Sequence, residues 1–383
     1  MGTTKEKEIK FNIKVGYDAR TFNLPGGSKT YGTNLITHYD KNNTFLFGLE
    51  KYGSYNCVPS KIKPNSILRL AYENITIPYL VKKNNIKLFH GLKGIVPYFG
   101  KFIKIITVHD LVPIIHPESM KFKDYIYWNF IFPIYLKKAD RIICISKSTQ
   151  NDLLSKFNVD EDKIRLVYQG ISKNFKIKAK KDSYENIHRC FKKNNMMVAD
   201  IENKTILLSV NVLSPRKNIA RTIEAFDICA ETDPKLILFI VGKKGWAYDQ
   251  IFNTYRKTKN TKRIFFMDYV EEDVLISFYN VAKAFVYPSL YEGFGLPILE
   301  AQACGCPVIT SNVSSMPEVA GEGAILVDPY SVEEIASAIS KITSDDTFKI
   351  SLSIKGFNNC MMFSWEKCAE ETLKVYEEVC NEG

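Results

Sequence analysis

Along the 383-residue chain, short continuous runs of Val, Ile, Leu and Phe recur, each followed by a segment with helical spacing. Such runs predict parallel strands buried on both faces. They fall at Phe11–Tyr17, Lys87–His90, Ile103–His109, Arg141–Ser146 and Ile164–Tyr168, then at Ile206–Val210, Leu236–Val241, Arg263–Met267, Ala284–Tyr287, Pro307–Thr310 and Ala324–Val327. Strands alternating with helices in two successive sets predict an α/β protein of two doubly wound, Rossmann-like domains. We place the first at residues 1–170 and the second at 205–363. Residues 171–204, polar and rich in Lys and Asn, are expected to form an interdomain linker or excursion. Residues 364–383, with helical spacing from Trp365 to Val379, are expected to pack back on the first domain. Two such domains would face each other across a cleft at the carboxyl ends of their strands, which directs attention to the loops after each strand.

The loop after Ala284–Tyr287 reads PSLYEGFGLPILEAQACGCPVI. Pro288 ends the strand, glycines turn the chain and Pro297 opens a helix, so backbone N–H groups and the helix dipole collect where an anion would bind. A site for phosphate alone would avoid carboxylates, yet Glu292 and Glu300 flank this turn eight positions apart. A carboxylate accepts paired hydrogen bonds from vicinal hydroxyls, as in a ribose or a hexose. The N–H groups of Gly293, Phe294, Gly295 and Leu296 suit phosphate or sugar oxygens. After Ile206–Val210, the segment NVLSPRKN puts Arg216 and Lys217 at the opening of the next helix, where two cations and a helix N-terminus can converge on a diphosphate. A sugar, a ribose and a diphosphate together describe a nucleotide sugar.

In the first domain, GYDARTFNLPGGSKTYGTNL follows the first strand. Gly26-Gly27 with Tyr31 reads as a glycine turn opening a helix, although the dinucleotide fingerprint GxGxxG is not met. Asp18 and Arg20 stand at the strand end. His109 terminates FIKIITVHD, where an imidazole either serves a sugar hydroxyl or is satisfied by a backbone carbonyl. His38, His90, His116 and His188 show no metal-ligand spacing, and neither a metal nor a cofactor is expected.

Charge divides the chain unevenly. Residues 1–170 hold 26 Lys+Arg against 14 Asp+Glu, and the remainder holds 26 against 28. The basic half suits an anionic partner such as a membrane surface or a phosphate-linked acceptor. Nucleic acid is not expected, because aromatics are not interleaved with basic platforms. Nine scattered cysteines without a CxxC pair suit reduced thiols. The first twenty residues lack the apolar core of a signal peptide, and the aromatic run Ile126–Leu136 is too short to span a bilayer, so a cytoplasmic location is expected. KFKDYIYWNFIFPIYLKK, residues 121–138, has the mixed Lys and aromatic composition of an interfacial helix; the alternative is a helix packed on the first sheet and kinked at Pro133.

The segment YPSLYEGFGLPILEAQACGCPVITSNVSSMPEVAGEGAILVDP resembles the signature of the GT-B retaining glycosyltransferases of family 4, the group 1 glycosyltransferases, with its E-x7-E pattern at Glu292 and Glu300. VNVLSPRKNIARTIEAF is similar to the family's phosphate-binding segment, GYDARTFNLPGGSKTYGTNL to its glycine loop, and TVHDLVPIIHPE with ADRIICISKSTQNDL to its middle. The resemblance implies that Arg216 and Lys217 hold the diphosphate and balance the leaving group. It implies ribose at Glu300, donor-sugar hydroxyls at Glu292 and the Gly293–Leu296 amides, and the base at the Asp268-Tyr269-Val270 loop. His109 would contact the donor sugar, Gly27 the donor, and Asp18, Arg20, Gly26 and Tyr31 the acceptor side. Asn211 stands where a glycine is common and Val212 where an arginine often sits, which leaves more of the phosphate charge to Arg216. The implied reaction is a metal-independent, retaining hexosyl transfer to a glycan or lipid-linked acceptor. The PRKN and HDLVP spellings favour GDP-mannose, with UDP-glucose types next. Two rivals are a catalytically silent sugar-nucleotide-binding subunit and a GT-B epimerase, which would need a second acid/base set that the sequence does not show.

Overall fold

The apolar runs become parallel strands in the computed structural model, which describes residues 9–23, 26–60, 68–119 and 125–382. The chain divides into two compact units, one of Met1–Gly170 with Ser364–Gly383 and one of Ile171–Phe363. Among the described residues of the first unit, β1 (Val15–Asp18), β2 (Thr44–Phe47), β3 (Asn56–Val58), β4 (Leu88–Gly91), β5 (Ile103–Val108), β6 (Arg141–Cys144) and β7 (Ile164–Leu166) form one parallel sheet in the order β3-β2-β1-β4-β5-β6-β7. In the second, β8 (Thr205–Val210), β9 (Leu236–Val241), β10 (Ile264–Met267), β11 (Ala284–Tyr287), β12 (Val308–Ser311) and β13 (Ala324–Val327) are ordered β10-β9-β8-β11-β12-β13. In each sheet the first strand lies inside and the order reverses beside it, which is the doubly wound pattern.

The structure departs from the sequence pattern in three places. The first strand begins at Val15 rather than Phe11, because Phe11 is buried edge-on against Tyr39, with ring centroids 5.5 Å apart, and does not pair in the ladder. Strands β2 and β3, of four and three residues, are additions. Residues 171–204 fold within the second unit: the helix Lys180–Lys193 lies on the helix Glu272–Val281, Asn186 donates to Ser277 Oγ at 3.0 Å, and Phe191 stacks on Phe239 at 5.8 Å.

The last helix, Trp365–Glu382, completes the first unit. Trp365, Ala369, Leu373 and Tyr376 join the core formed by Tyr17, Tyr31 and Tyr39. Several polar groups buried with them are paired, as a low-dielectric interior favours. Tyr39 Oη donates to Ala369 O at 2.9 Å. His90 meets Tyr376 Oη at 2.6 Å through Nδ1 and Thr107 Oγ1 at 2.8 Å through Nε2. Burial pushes the His90 imidazole down to about 3, so it is neutral, donating through one ring nitrogen and accepting through the other. Gly170 is obligatory where the chain passes this helix, since a Cβ there would lie 2.0 Å from Trp365 N.

Of the aromatic segment 121–138, residues 121–124 lie outside the described residues. The rest is continuously helical: a π-helical turn, Tyr127–Ile131, runs into a helix, Phe132–Lys138, with Pro133 beside the junction. Among the described residues no helix is long and apolar enough to cross a membrane.

Candidate functional site

In the second unit, β8 ends at Val210 and the chain passes through the turn Pro215–Lys217 before the helix Ile219–Thr232. Asn218 joins the two in a left-handed conformation with φ 57°, which Asn tolerates better than most residues. Its buried Nδ2 donates to Pro288 O at 2.9 Å and Pro329 O at 2.6 Å, and Leu290 N donates to Arg216 O at 2.8 Å. The loop after β8 is thereby fastened to the loop after β11.

This joint brings Arg216, Lys217 and Glu292 together. Arg216 Nη1 lies 3.0 Å from Glu292 Oε2 and also donates to Tyr291 O. Lys217 Nζ lies 2.5 Å from Glu292 Oε1. The fourth member is Tyr287, the last residue of β11: its hydroxyl donates to Glu292 Oε1 at 2.8 Å and accepts from Lys217 Nζ at 3.0 Å. Burial pushes the Glu292 carboxyl up, but the Lys217 ammonium and the Arg216 guanidinium outweigh it and hold the group at about 2. The loop backbone is held from β12: Ser314 Oγ donates to Glu292 O at 2.6 Å, and Ser315 Oγ donates to Glu292 O at 2.9 Å and to Phe294 O at 2.8 Å. Gly295 then takes φ 105° ahead of the helix Leu296–Ala303, so Pro297 is the second helical residue.

Glu300, one turn further, belongs to a different environment. Its Oε2 accepts from Tyr279 Oη at 3.1 Å. Burial pushes this carboxyl up to about 7; the Tyr279 hydroxyl draws it down and the Glu272 charge pushes it higher. The two glutamates of the pattern thus have separate partners and opposite pKa shifts. Val270 is half-buried in the loop after β10, beside an exposed Tyr269 whose ring lies 5.4 Å from Lys243 Nζ. Asn211 is buried and donates to Ser209 Oγ at 3.1 Å, while Val212 is exposed.

In the first unit His109 lies just past β5. Its Nε2 is 2.7 Å from Leu92 O, a carbonyl that can only accept, so Nε2 carries the proton and Nδ1 is the acceptor, 3.4 Å from the Gln169 amide nitrogen. Burial holds its pKa below the ordinary value, against the Leu92 carbonyl and the Asp110 charge. The imidazole is a neutral acceptor whose one proton is committed to the backbone, and proton donation to a substrate, one of the two expectations from sequence, does not fit it. Tyr31 is fully buried with its ring edge-on to His109 at 4.9 Å and its hydroxyl 3.1 Å from Thr107 Oγ1, so it supports His109 and does not reach a ligand. Gly26, at φ 133°, precedes the helix Gly27–Ile36, and a Cβ at Gly26 or Gly27 would meet nothing within 4 Å.

Asp18 and Arg20 do not present free charge. Arg20 donates to Asp18 through Nε at 2.8 Å and Nη2 at 2.6 Å, and Nη2 also reaches Glu73 Oε1 at 2.7 Å. Glu73 in turn accepts from Arg69 Nε at 2.7 Å and from Tyr135 Oη at 3.4 Å. Sequence reasoning passed over Glu73, although it is the one acid between residues 51 and 100, amid eight Lys and Arg. Tyr287, Tyr279, Asn218, Ser314, Ser315 and Gln169 were also missed as supports; each lies within a quoted motif or close to one, but its partner is distant in sequence.

The family described as Glycosyl transferases group 1 matches residues 191–356, and Glycosyltransferase Family 4 matches residues 62–175. The O-antigen chain mannosyltransferase B of Escherichia coli is 28% identical over 291 residues, 76% of this chain and 74% of that protein. The serotype-specific mannosyltransferase WbdA of Escherichia coli is 27% identical over 69% of this chain, but the match spans only 32% of WbdA. Among solved structures, Anabaena HepE in complex with UDP-glucose superposes with a TM-score of 0.76 at 15% identity, over 97% of this chain and 100% of that one. The two sheets and this likeness give the GT-B fold, and with the two family matches they show that the chain belongs to the group 1 glycosyltransferases of family 4.

Proposed function

We propose that the protein transfers a hexose from a nucleoside diphosphate sugar to a hydroxyl of a glycan or lipid-linked acceptor, with retention and without a metal ion. The observation that carries this reading is the Arg216, Lys217 and Glu292 constellation after β8. Both cations pair with the same carboxylate, so their donors converge on one point where a ligand phosphate can join them. A diphosphate beside them takes over their donors, frees the Glu292 oxygens to accept from sugar hydroxyls, and has its growing negative charge neutralised as it leaves. Glu300 accepts from the ribose hydroxyls, Gly293, Phe294, Gly295 and Leu296 give main-chain contacts to the sugar, and the Val270 loop meets the base. His109, neutral, accepts from the donor sugar and moves no proton. Gly26 and Gly27 approach the ligands through backbone, and the buried Asp18, Arg20 and Tyr31 hold that edge in shape.

As the bond from the sugar carbon to the diphosphate oxygen breaks, the acceptor oxygen bonds to the same face and its proton passes to the departing phosphate oxygen. Glu292, held by two cations, is a weak nucleophile, which favours this path over a covalent double displacement. Relatives named as mannosyltransferases support mannose, and GDP-mannose is the favoured donor ahead of UDP-glucose types. A lipid-linked acceptor would place the enzyme at the cytoplasmic face of a membrane.

The test is nucleotide release from a panel of GDP-, UDP-, ADP- and dTDP-sugars with EDTA present, for the parent, Arg216→Ala and Glu292→Ala. One donor should turn over in EDTA, and Arg216→Ala should lower the rate about 10²–10³-fold. Turnover lost in EDTA and restored by a divalent ion overturns the metal-free reading. Calorimetric binding of a donor without turnover favours the silent-subunit reading, and no binding of any donor sinks the donor site.

A further inference from the structure

Exposed large apolar side chains are usually scattered over a protein surface, and a concentration of them marks a contact. Among the described residues of the first unit there are nine, and all fall within residues 70–79, 98–99 and 125–134. Ile75 and Tyr79 project from the helical segment Leu68–Lys83, one turn apart, while Tyr72, Ile77 and Val81 on its other side are buried. Phe130 and Ile134 project in the same way from the segment that ends at Lys138, with Phe132, Tyr135 and Leu136 buried.

The segments form one surface. Tyr135 of the second bonds to Glu73 of the first, Tyr98 N donates to Asn74 Oδ1 at 2.8 Å, and Lys138 Nζ lies 4.4 Å from the Tyr98 ring, whose neighbour Phe99 is 5.0 Å away. Both helical segments contain a π-helical turn, Tyr72–Thr76 and Tyr127–Ile131, a rare geometry that is frequent at functional sites. The charge is one-sided. Lys82, Lys83, Lys101, Lys137 and Lys138 are exposed at the ends of these segments, whereas the one carboxylate within residues 68–83, 92–102 and 125–138 is Glu73, buried on the inner side.

We propose that this face is a docking surface for an anionic lipid bilayer, with the aromatic and aliphatic side chains entering the headgroup region and the lysines meeting lipid phosphates. The apolar row supplies depth, the lysines snorkel to the anionic surface, and these described segments add no exposed carboxylate to repel it. The proposal rests on the first unit alone and stands whatever the donor proves to be.

The test is flotation of the full-length protein with vesicles of phosphatidylcholine, with and without phosphatidylglycerol, at low and high salt. Association should require phosphatidylglycerol and weaken with salt. Phe130→Asp with Ile134→Asp should abolish it without changing nucleotide release in solution or the melting temperature. Lys137→Gln with Lys138→Gln should weaken it about 30-fold. Ile354→Asp with Phe357→Asp, exposed apolar positions of the second unit, should leave it intact. No association with anionic vesicles at low salt overturns the proposal, as does association that survives the Phe130 and Ile134 substitutions. Self-association in sedimentation velocity that the same pair abolishes, without vesicle binding, would make the face an interface between copies and equally overturn it.

Discussion

Each unit places an arginine cluster just after the first strand of its sheet, and the two are built to opposite ends. After β1, Arg20 and Arg69 meet Asp18 and Glu73, two cations for two carboxylates, with Glu73 almost fully buried. After β8, Arg216 and Lys217 both pair with Glu292, and both cations keep part of their surface in solvent. A cluster paired around a buried acid fixes one conformation without a ligand. The second cluster instead stands in the turn Pro215–Lys217 that leads into a helix, where an anion from outside can join it. Local setting, more than residue type, separates a brace from a binding site.

The sharpest way to break this comparison is to remove the shared acid of the brace. Glu73→Ala takes the shared carboxylate from Arg69 and leaves Arg20 to Asp18, and should cost about 3–5 kcal/mol, read as a fall in the denaturant midpoint. Arg216→Ala, by contrast, should spare that midpoint and act on turnover. Next is Tyr287→Phe, which removes the hydroxyl linking Lys217 to Glu292. It should cost about 1.5–3 kcal/mol in chemical denaturation, as expected for a buried hydrogen bond to a charged group. An unchanged midpoint would show that Lys217 and Glu292 hold each other without it.

The smallest effect comes from pH and divides the two glutamates. Glu292 is held below its ordinary 4.5, at about 2, so the stability it contributes is present above pH 4.5 and is lost as pH falls through about 2. Glu300 is raised to about 7, so its contribution is present below pH 4.5 and is lost as pH rises through about 7. Ribose hydroxyls donate best to an ionised carboxylate, so donor affinity by calorimetry should rise about tenfold from pH 6 to pH 8, and Glu300→Gln should flatten the profile. A flat profile in the parent would remove Glu300 from the ribose site.

Much of this architecture was legible in the chain because buried parallel strands read as unbroken apolar runs. Strands β2 and β3 were not, since TFLF and NCV are too short to be told from loop residues. The helix Lys180–Lys193 was also hidden: its buried residues are Ser183, Ile187 and Phe191, a stripe one residue wide in a polar segment. At the candidate site, spacing reveals Glu292, Arg216 and Lys217 because a local turn presents them. It does not reveal Tyr287 bonded to residues of two loops, or Ser314 and Ser315 clamping the loop from β12, because those contacts exist only once the sheet has formed. It is also silent on which charges neutralise each other, and so Arg20 reads like Arg216 until Glu73 is seen beside it.

The return of Trp365–Glu382 to the first unit has a consequence for biosynthesis. When Gly170 emerges from the ribosome, His90 has no Tyr376, Tyr39 has no Ala369 carbonyl, and one side of the aromatic core is bare. Residues 171–363 must be translated before these partners exist, a delay of roughly 10–40 s at bacterial and eukaryotic elongation rates. The second unit is contiguous and can close within that interval, so the unit encoded first is the one finished last.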